Sequence, residues 1–411
     1  MRFGAEWTSR QIDSLAEVDP ENLPTSTDPL FVFNYISLNN VDGGRLLGYT
    51  SESFGTAPSR ARRVLRTDDV LMSTVRPALQ GHLLFSGQIP NAVCSTGFAV
   101  LRTNRHRCDP RFLFAHLFGD VVAAQVQGLL AGSNYPAINS GDVGRLWVTC
   151  PPTVAEQRAI AAVLSDVDGL IGSLETLIAK KRAIKRAAMQ QLLTGRTRLP
   201  GFEGEWGTRR IDALATVDPE NLPSRTDPGF AFNYISLDHV DAGRLLGSSR
   251  ESFATAPSRA RRVLRIDDVL MSTVRPALQG HLFYSGQVPN AICSTGFAVL
   301  RARGNEGDPR FLFAHLFGDF VAAQLQRLLA GSNYPAINSG DVARMGVTCP
   351  PTLAEQSAIA TVLSDMDAEI AALECRLDKT RSIKQGMMQQ LLTGAVRLPI
   401  PDGPEEKTGG G

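Results

Sequence analysis

The chain is a tandem duplication, and that constrains everything else. Trp7–Asp28 recurs as Trp206–Asp227, and the same offset holds almost to the C-terminus. Asp68–Leu83 (DDVLMSTVRPALQGHL) returns letter for letter as Asp267–Leu282, and Leu129–Val143 (LLAGSNYPAINSGDV) as Leu328–Val342. Solenoid units run to roughly 20–50 residues. A period of 199 residues, Trp7 to Trp206, is instead a duplicated domain. Such a domain presents one binding surface twice, which suits a ligand with two equivalent ends.

At 411 residues each half is long enough to bury its own core. No apolar run approaches the roughly 20 residues that cross a bilayer, and MRFGAEWTSR lacks the apolar core of a signal peptide. The expected location is cytoplasmic. Among the cysteines, Cys94 and Cys150 repeat as Cys293 and Cys349, while Cys108 and Cys375 have no counterpart. None has zinc-site spacing, so they read as small buried hydrophobes and no metal site is expected.

The net charge is only +1, which argues mildly against a nucleic-acid binder recognised by bulk charge. Met1–Pro152 nevertheless contains no lysine; its side-chain cations are arginines, whose planar fork suits guanine edges and phosphates. Arginine-rich codon usage would give the same bias, so the signal carries little weight.

Each copy has two parts. The first is mixed α/β, with short strand-like runs at Phe33–Leu38, Val70–Arg76, His82–Phe85, Gly97–Arg102 and Leu146–Cys150. A helix is predicted from an Asp109 cap and Pro110 through Ala131, stopped by Gly132, with Phe112, Leu113, Leu117, Val121 and Val122 facing its core. The second part is a long helix. Thr153-x-x-Glu156 and Thr352-x-x-Glu355 are capping boxes behind Pro-Pro pairs. Apolar residues then step by four and three: Ile160, Leu164, Val167, Ile171, Leu174 and Ile178, matched by Ile359, Leu363, Met366, Ile370, Leu373 and Leu377. Gly195 and Gly394 would end the helices. Two such rods, each some 60 Å long at about 1.5 Å per residue, can bury each other's seams, and antiparallel packing is expected.

Arg397-Leu398-Pro399 matches Arg198-Leu199-Pro200, so the chain reads as nearly circular, with Phe3–Trp7 continuing where the last helix stops. The tail after it is expected to be flexible. Its loose PD…ExK pattern has no strand context and is set aside. The expected boundaries are a first recognition domain at 1–152, a helix at 153–198, a second domain at 199–351, a helix at 352–396 and a tail at 397–411.

No catalytic motif is found: no P-loop, no GxGxxG after a strand, no HExxH, no GxSxG, and no Asp/Asn-Pro-Pro-aromatic sequence of an amino-methyltransferase. No catalytic residue is assigned. The candidates are binding residues. Arg60, Arg62, Arg63 and Arg66 recur as Arg259, Arg261, Arg262 and Arg265, either a phosphate-contacting edge or a solvated face. The turn from Ser73 to His82 carries Arg76, Gln80 and His82, repeated as Arg275, Gln279 and His281, all able to reach base edges. Ser133, Asn134 and Tyr135, with Ser332, Asn333 and Tyr334, add a polar loop. Asn139 reads better as a helix cap, and His116 as a polar core or surface histidine.

Two stretches carry a family resemblance: GSNYPAINSGDVGRLWVTCPPTVAEQRAI, and MQQLLTG followed by RTRLPGF and EW. With them, essentially the whole chain resembles the DNA-specificity subunit of type I restriction-modification systems. The resemblance implies an α+β architecture, with two mixed α/β target-recognition domains separated by two long helices in an antiparallel coiled coil. It implies double-stranded DNA as ligand, each domain reading half of a split site, and docking of two methyltransferase subunits, later joined by restriction subunits. No cofactor is expected on this chain; S-adenosylmethionine would sit on the methyltransferase partner. Typical family members carry two unlike recognition domains, whereas about three-quarters of the positions are identical here. Two like readers predict an interrupted, near-palindromic site. The copies differ at Asn104–Cys108 against Arg303–Gly307 and at Asn39-Asn40 against Asp238-His239; if those loops read bases, the two halves differ there. The rivals are the specificity module of another DNA-modifying defence complex, a self-contained restriction-modification enzyme, and a non-catalytic coiled-coil adaptor.

Overall fold

The computed structural model describes residues 7–130, 136–330 and 335–399. It divides into two compact units, one of residues 1–174 with 376–411 and one of residues 175–375. The division passes through both long helices, so each unit holds one α/β domain, the start of one long helix and the end of the other.

In the first unit, two four-stranded sheets carry the domain. One runs in the order Thr50–Ser53, Val32–Ile36, Ala92–Ser95, Ala61–Val64, with the central pair parallel. The other is antiparallel: Ala16–Val18, Phe98–Thr103, Asp69–Ser73, Leu83–Phe85. Asp69–Ser73 is buried along its whole length because both of its faces are covered. A ribbon pairs Thr8–Gln11 with Trp147–Cys150. The second unit repeats these sheets strand for strand.

The helix expected from Pro110 to Ala131 is two helices, Pro110–Leu117 and Asp120–Leu130, meeting at 55°. Its start follows the sequence, with the Asp109 carboxylate accepting from Arg111 and Phe112 N–H. The break is tertiary. Phe118 turns out of the helix to pack edge-on against Phe114 and His82, and Gly119 N–H returns to the His116 carbonyl at 3.0 Å. Of the residues expected in the core, Phe112, Leu113, Leu117 and Val122 are buried but Val121 is 40% exposed, and Val126 is buried as well. The expected Gly132 stop lies outside the described residues. The copies also trade volume here: Trp147 and Val121 of the first correspond to Gly346 and Phe320 of the second. A side chain on Gly346 would meet the Phe320 ring at 3.6 Å.

The long helices are Val154–Leu192 and Leu353–Leu391, 39 residues each. Within the second unit, Lys181 pairs with Glu369 and Lys185 with Asp367, so one helix rises as the other falls. Lys384 and Asp168 pair likewise at 2.6 Å within the first unit. The pairing is antiparallel in both. The helix ends also enter the domain cores: Ile160, Leu164, Leu391 and Leu392 join Phe112 and Val148 in the first unit. Among the described residues, no single helix is long and apolar enough to cross a membrane. Five cysteines are buried and Cys375 is exposed.

Candidate nucleic-acid interface

Four segments far apart in sequence meet at one end of each domain, and backbone hydrogen bonds join them. Thr96 N–H donates to the Arg60 carbonyl at 2.8 Å, Thr74 N–H to Gly97 at 2.8 Å, Ile138 N–H to Thr74 at 2.9 Å and Arg76 N–H to Pro136 at 2.7 Å. The second domain repeats all four bonds, Thr295 to Arg259, Thr273 to Gly296, Ile337 to Thr273 and Arg275 to Pro335. The structure therefore brings the Arg60 turn and the Arg76 turn onto one surface, edged by the segment that follows Tyr135. Ser133, Asn134, Tyr135, Ser332, Asn333 and Tyr334 themselves lie outside the described residues.

The arginine run splits by role. Arg60 and Arg259 are exposed. Arg62 and Arg261 lie over the Phe54 and Phe253 rings at 4.4 and 4.7 Å, a cation–π contact that leaves them half-buried. Arg63 is not a surface residue. It pairs with Asp19 and reaches the Ser140 hydroxyl at 3.1 Å, as Arg262 pairs with Asp218 at 2.5 Å. Burial lowers the Arg63 pKa. Arg66 is bound to Glu21 at 2.7 Å, and that contact holds the Glu21 carboxyl below its ordinary range.

The turn between Asp69–Ser73 and Leu83–Phe85 has an unusual backbone. Pro77–Leu79 forms one 3-10 turn between Arg76 and Gln80, both left-handed at φ 49° and 52°. Arg275 and Gln279 repeat this at 48° and 56°. Non-glycine residues in this region cost on the order of 1–3 kcal/mol each, and such strain persists where the surroundings impose it. Arg76 is exposed and Gln80 half-buried; among the described residues, neither Arg60 nor Arg76 is held in an ion pair. His82 and His281 correct the sequence reading. They are 2% and 0% exposed, and Ser73 and Ser272 N–H donate to their Nδ1 atoms at 3.2 Å. Burial pushes both rings down to about 4, so they are neutral core residues and cannot reach a base.

Leu79 and Leu278 were passed over in sequence, yet they stand 71% and 70% exposed at the tips of these turns. The available signal was a leucine between Arg-Pro-Ala and Gln-Gly, repeated verbatim. Among the described residues no cluster of His, Cys, Asp or Glu could hold a metal ion.

A model of the type I restriction modification DNA specificity domain matches residues 259–379. The putative type I restriction enzyme MjaX specificity subunit of Methanocaldococcus jannaschii is 22% identical over 415 residues, spanning 96% of this chain and 94% of that protein. The type I restriction enzyme HindI specificity subunit of Haemophilus influenzae is 24% identical over 139 residues, 33% of this chain and 30% of its own. A chain solved in work on complex assembly and conformational transition of the type I R-M system superposes with TM-score 0.62 and 23% identity, covering 96% of this chain and 100% of that one. The S subunit of the M. genitalium type I restriction-modification system gives 0.60 at 14% identity, covering 95% and 98%.

Proposed function

We propose that this chain, which matches a type I restriction-enzyme specificity subunit over 96% of its residues, reads double-stranded DNA for a type I restriction-modification complex. The four-loop surface of each domain is the reader. The observation that carries this is the duplicated placement of exposed Arg60 and Arg76, and of Arg259 and Arg275, on loops tied to one another through backbone. Phosphate contacts from arginine position a domain, and bidentate arginine or amide contacts to base edges specify it. The verbatim repetition of the Arg76-to-Gln80 turn supports like half-sites in an interrupted, near-palindromic target.

The paired long helices would dock two methyltransferase subunits, which would bind S-adenosylmethionine and perform the transfer; restriction subunits would join that assembly. The chain itself contributes recognition, not chemistry. The test is selection of duplexes by the purified chain with its methyltransferase partners. A recovered bipartite motif with salt-dependent binding is expected; no enrichment above random duplex would leave the coiled-coil adaptor as the better account.

A further inference from the structure

Leu79 is an anomaly on a surface otherwise built for an anionic ligand. It is a large apolar side chain, 71% exposed, at the tip of a turn rather than on a packed face, and Leu278 matches it. The turn is not loose. Leu79 N–H donates to Arg76 at 2.9 Å, Gln80 N–H to Pro77 at 2.9 Å and His82 N–H to Gln80 at 2.7 Å, while Pro77 beneath is buried. The neighbouring strand-bound segment grips Arg76 N–H through Pro136. Both copies hold this leucine between two left-handed residues that would relax if the turn were free to do so.

Rigid presentation of one apolar tip beside exposed arginines is the chemistry of a wedge. Apolar side chains that enter a base-pair step unstack it and bend the duplex, and cations beside them hold the phosphates. We propose that Leu79 and Leu278 are wedges, each entering one base-pair step within or beside the half-site that its own domain reads. The inference rests on the DNA-reading function above. It adds two specificity-determining residues, because pyrimidine–purine steps open most easily and would be favoured where the leucine enters.

The experiment uses the full chain with its methyltransferase partners and a duplex bearing the motif recovered by selection. 2-Aminopurine replaces each base of the half-sites in turn, and anisotropy on the same samples reports binding. A severalfold rise in fluorescence is expected at one step per half-site. Leu79→Ala removes it from one half and Leu278→Ala from the other, each weakening binding roughly tenfold, the value of burying a leucine. Leu79→Met keeps the rise, which separates insertion from a folding defect. Flat fluorescence in a complex that binds overturns the wedge and leaves DNA reading intact, as does a rise that survives both alanine variants. Absence of binding overturns both.

Discussion

Arg397 grips Glu156 through two parallel N–H donors at 2.9 and 2.8 Å, and the Glu156 carboxylate is fully buried. The segment after the second long helix is thus fastened to the first turn of the first, where Glu156 N–H donates to the Thr153 hydroxyl at 3.2 Å and the carboxylate, instead of closing the expected capping box, takes the arginine fork. Arg198 and Glu355 make the same fork in the second unit at 2.9 and 2.5 Å. Removing the arginine strands a buried carboxylate, but Arg397 is 44% and Arg198 24% exposed, so water softens the loss to about 1–3 kcal/mol. Arg397→Ala should therefore destabilise the first unit by that amount and Arg198→Ala the second. Denaturant unfolding followed by hydrogen exchange in each unit checks it. Loss of protection in both units from either single change would contradict the assignment.

Gly394 ends the last helix at φ +72°, and a β-carbon there would lie 2.6 Å from the Trp7 ring. Gly195 and Trp206 repeat this at +69° and 2.7 Å. Gly394→Ala should lower stability by more than about 1 kcal/mol, since strain and overlap both oppose it. An unchanged melting temperature would show that the turn relaxes freely.

Arg60 and Arg63 are predicted to behave oppositely although three residues apart. Arg60→Ala should leave stability near wild type and reduce the salt slope of DNA binding by about 1, as loss of one phosphate contact does. Arg63→Ala should destabilise the fold, because it leaves Asp19 without its buried cation. Salt titrations and thermal melts of the two variants distinguish them; matching effects would remove the division of roles.

Four buried histidines set an acid limit. His82, His116 and His281 are pushed by burial to about 4, and His315 to about 3. The unfolded rings titrate near 6.5, so below that pH the unfolded state binds more protons and is favoured. Stability should be flat above pH 7 and fall as pH drops from about 6.5 towards 4, by up to roughly 3 kcal/mol per ring. His116→Gln should flatten part of this slope in pH-dependent unfolding. A wild-type curve level through that window would contradict neutral buried rings.

Much of this architecture is legible in the residues. The long helices announce themselves because Thr153, Glu156 and the 3.6-residue apolar rhythm are local signals. Asp109 and Pro110 set a helix start for the same reason. What is not legible depends on partners distant in sequence. The helix break at Phe118 needs His82 and Phe114, and the fate of Arg63 needs Asp19. The strand Ala61–Val64 hides behind two arginines, because its partner strand Ala92–Ser95 supplies the pairing that its own composition does not advertise. His82 shares the turn's sequence but not its exposure: it sits one residue before the strand Leu83–Phe85 and is buried.

The central claim is that two like domains read like half-sites. Single-molecule sequencing of modified bases, in a host carrying this chain with its methyltransferase partners, tests it most directly. The account predicts one interrupted motif whose two halves are reverse complements or nearly so, lost when Arg76 and Arg275 are both replaced. Two unrelated half-sites, or a contiguous motif, would contradict it.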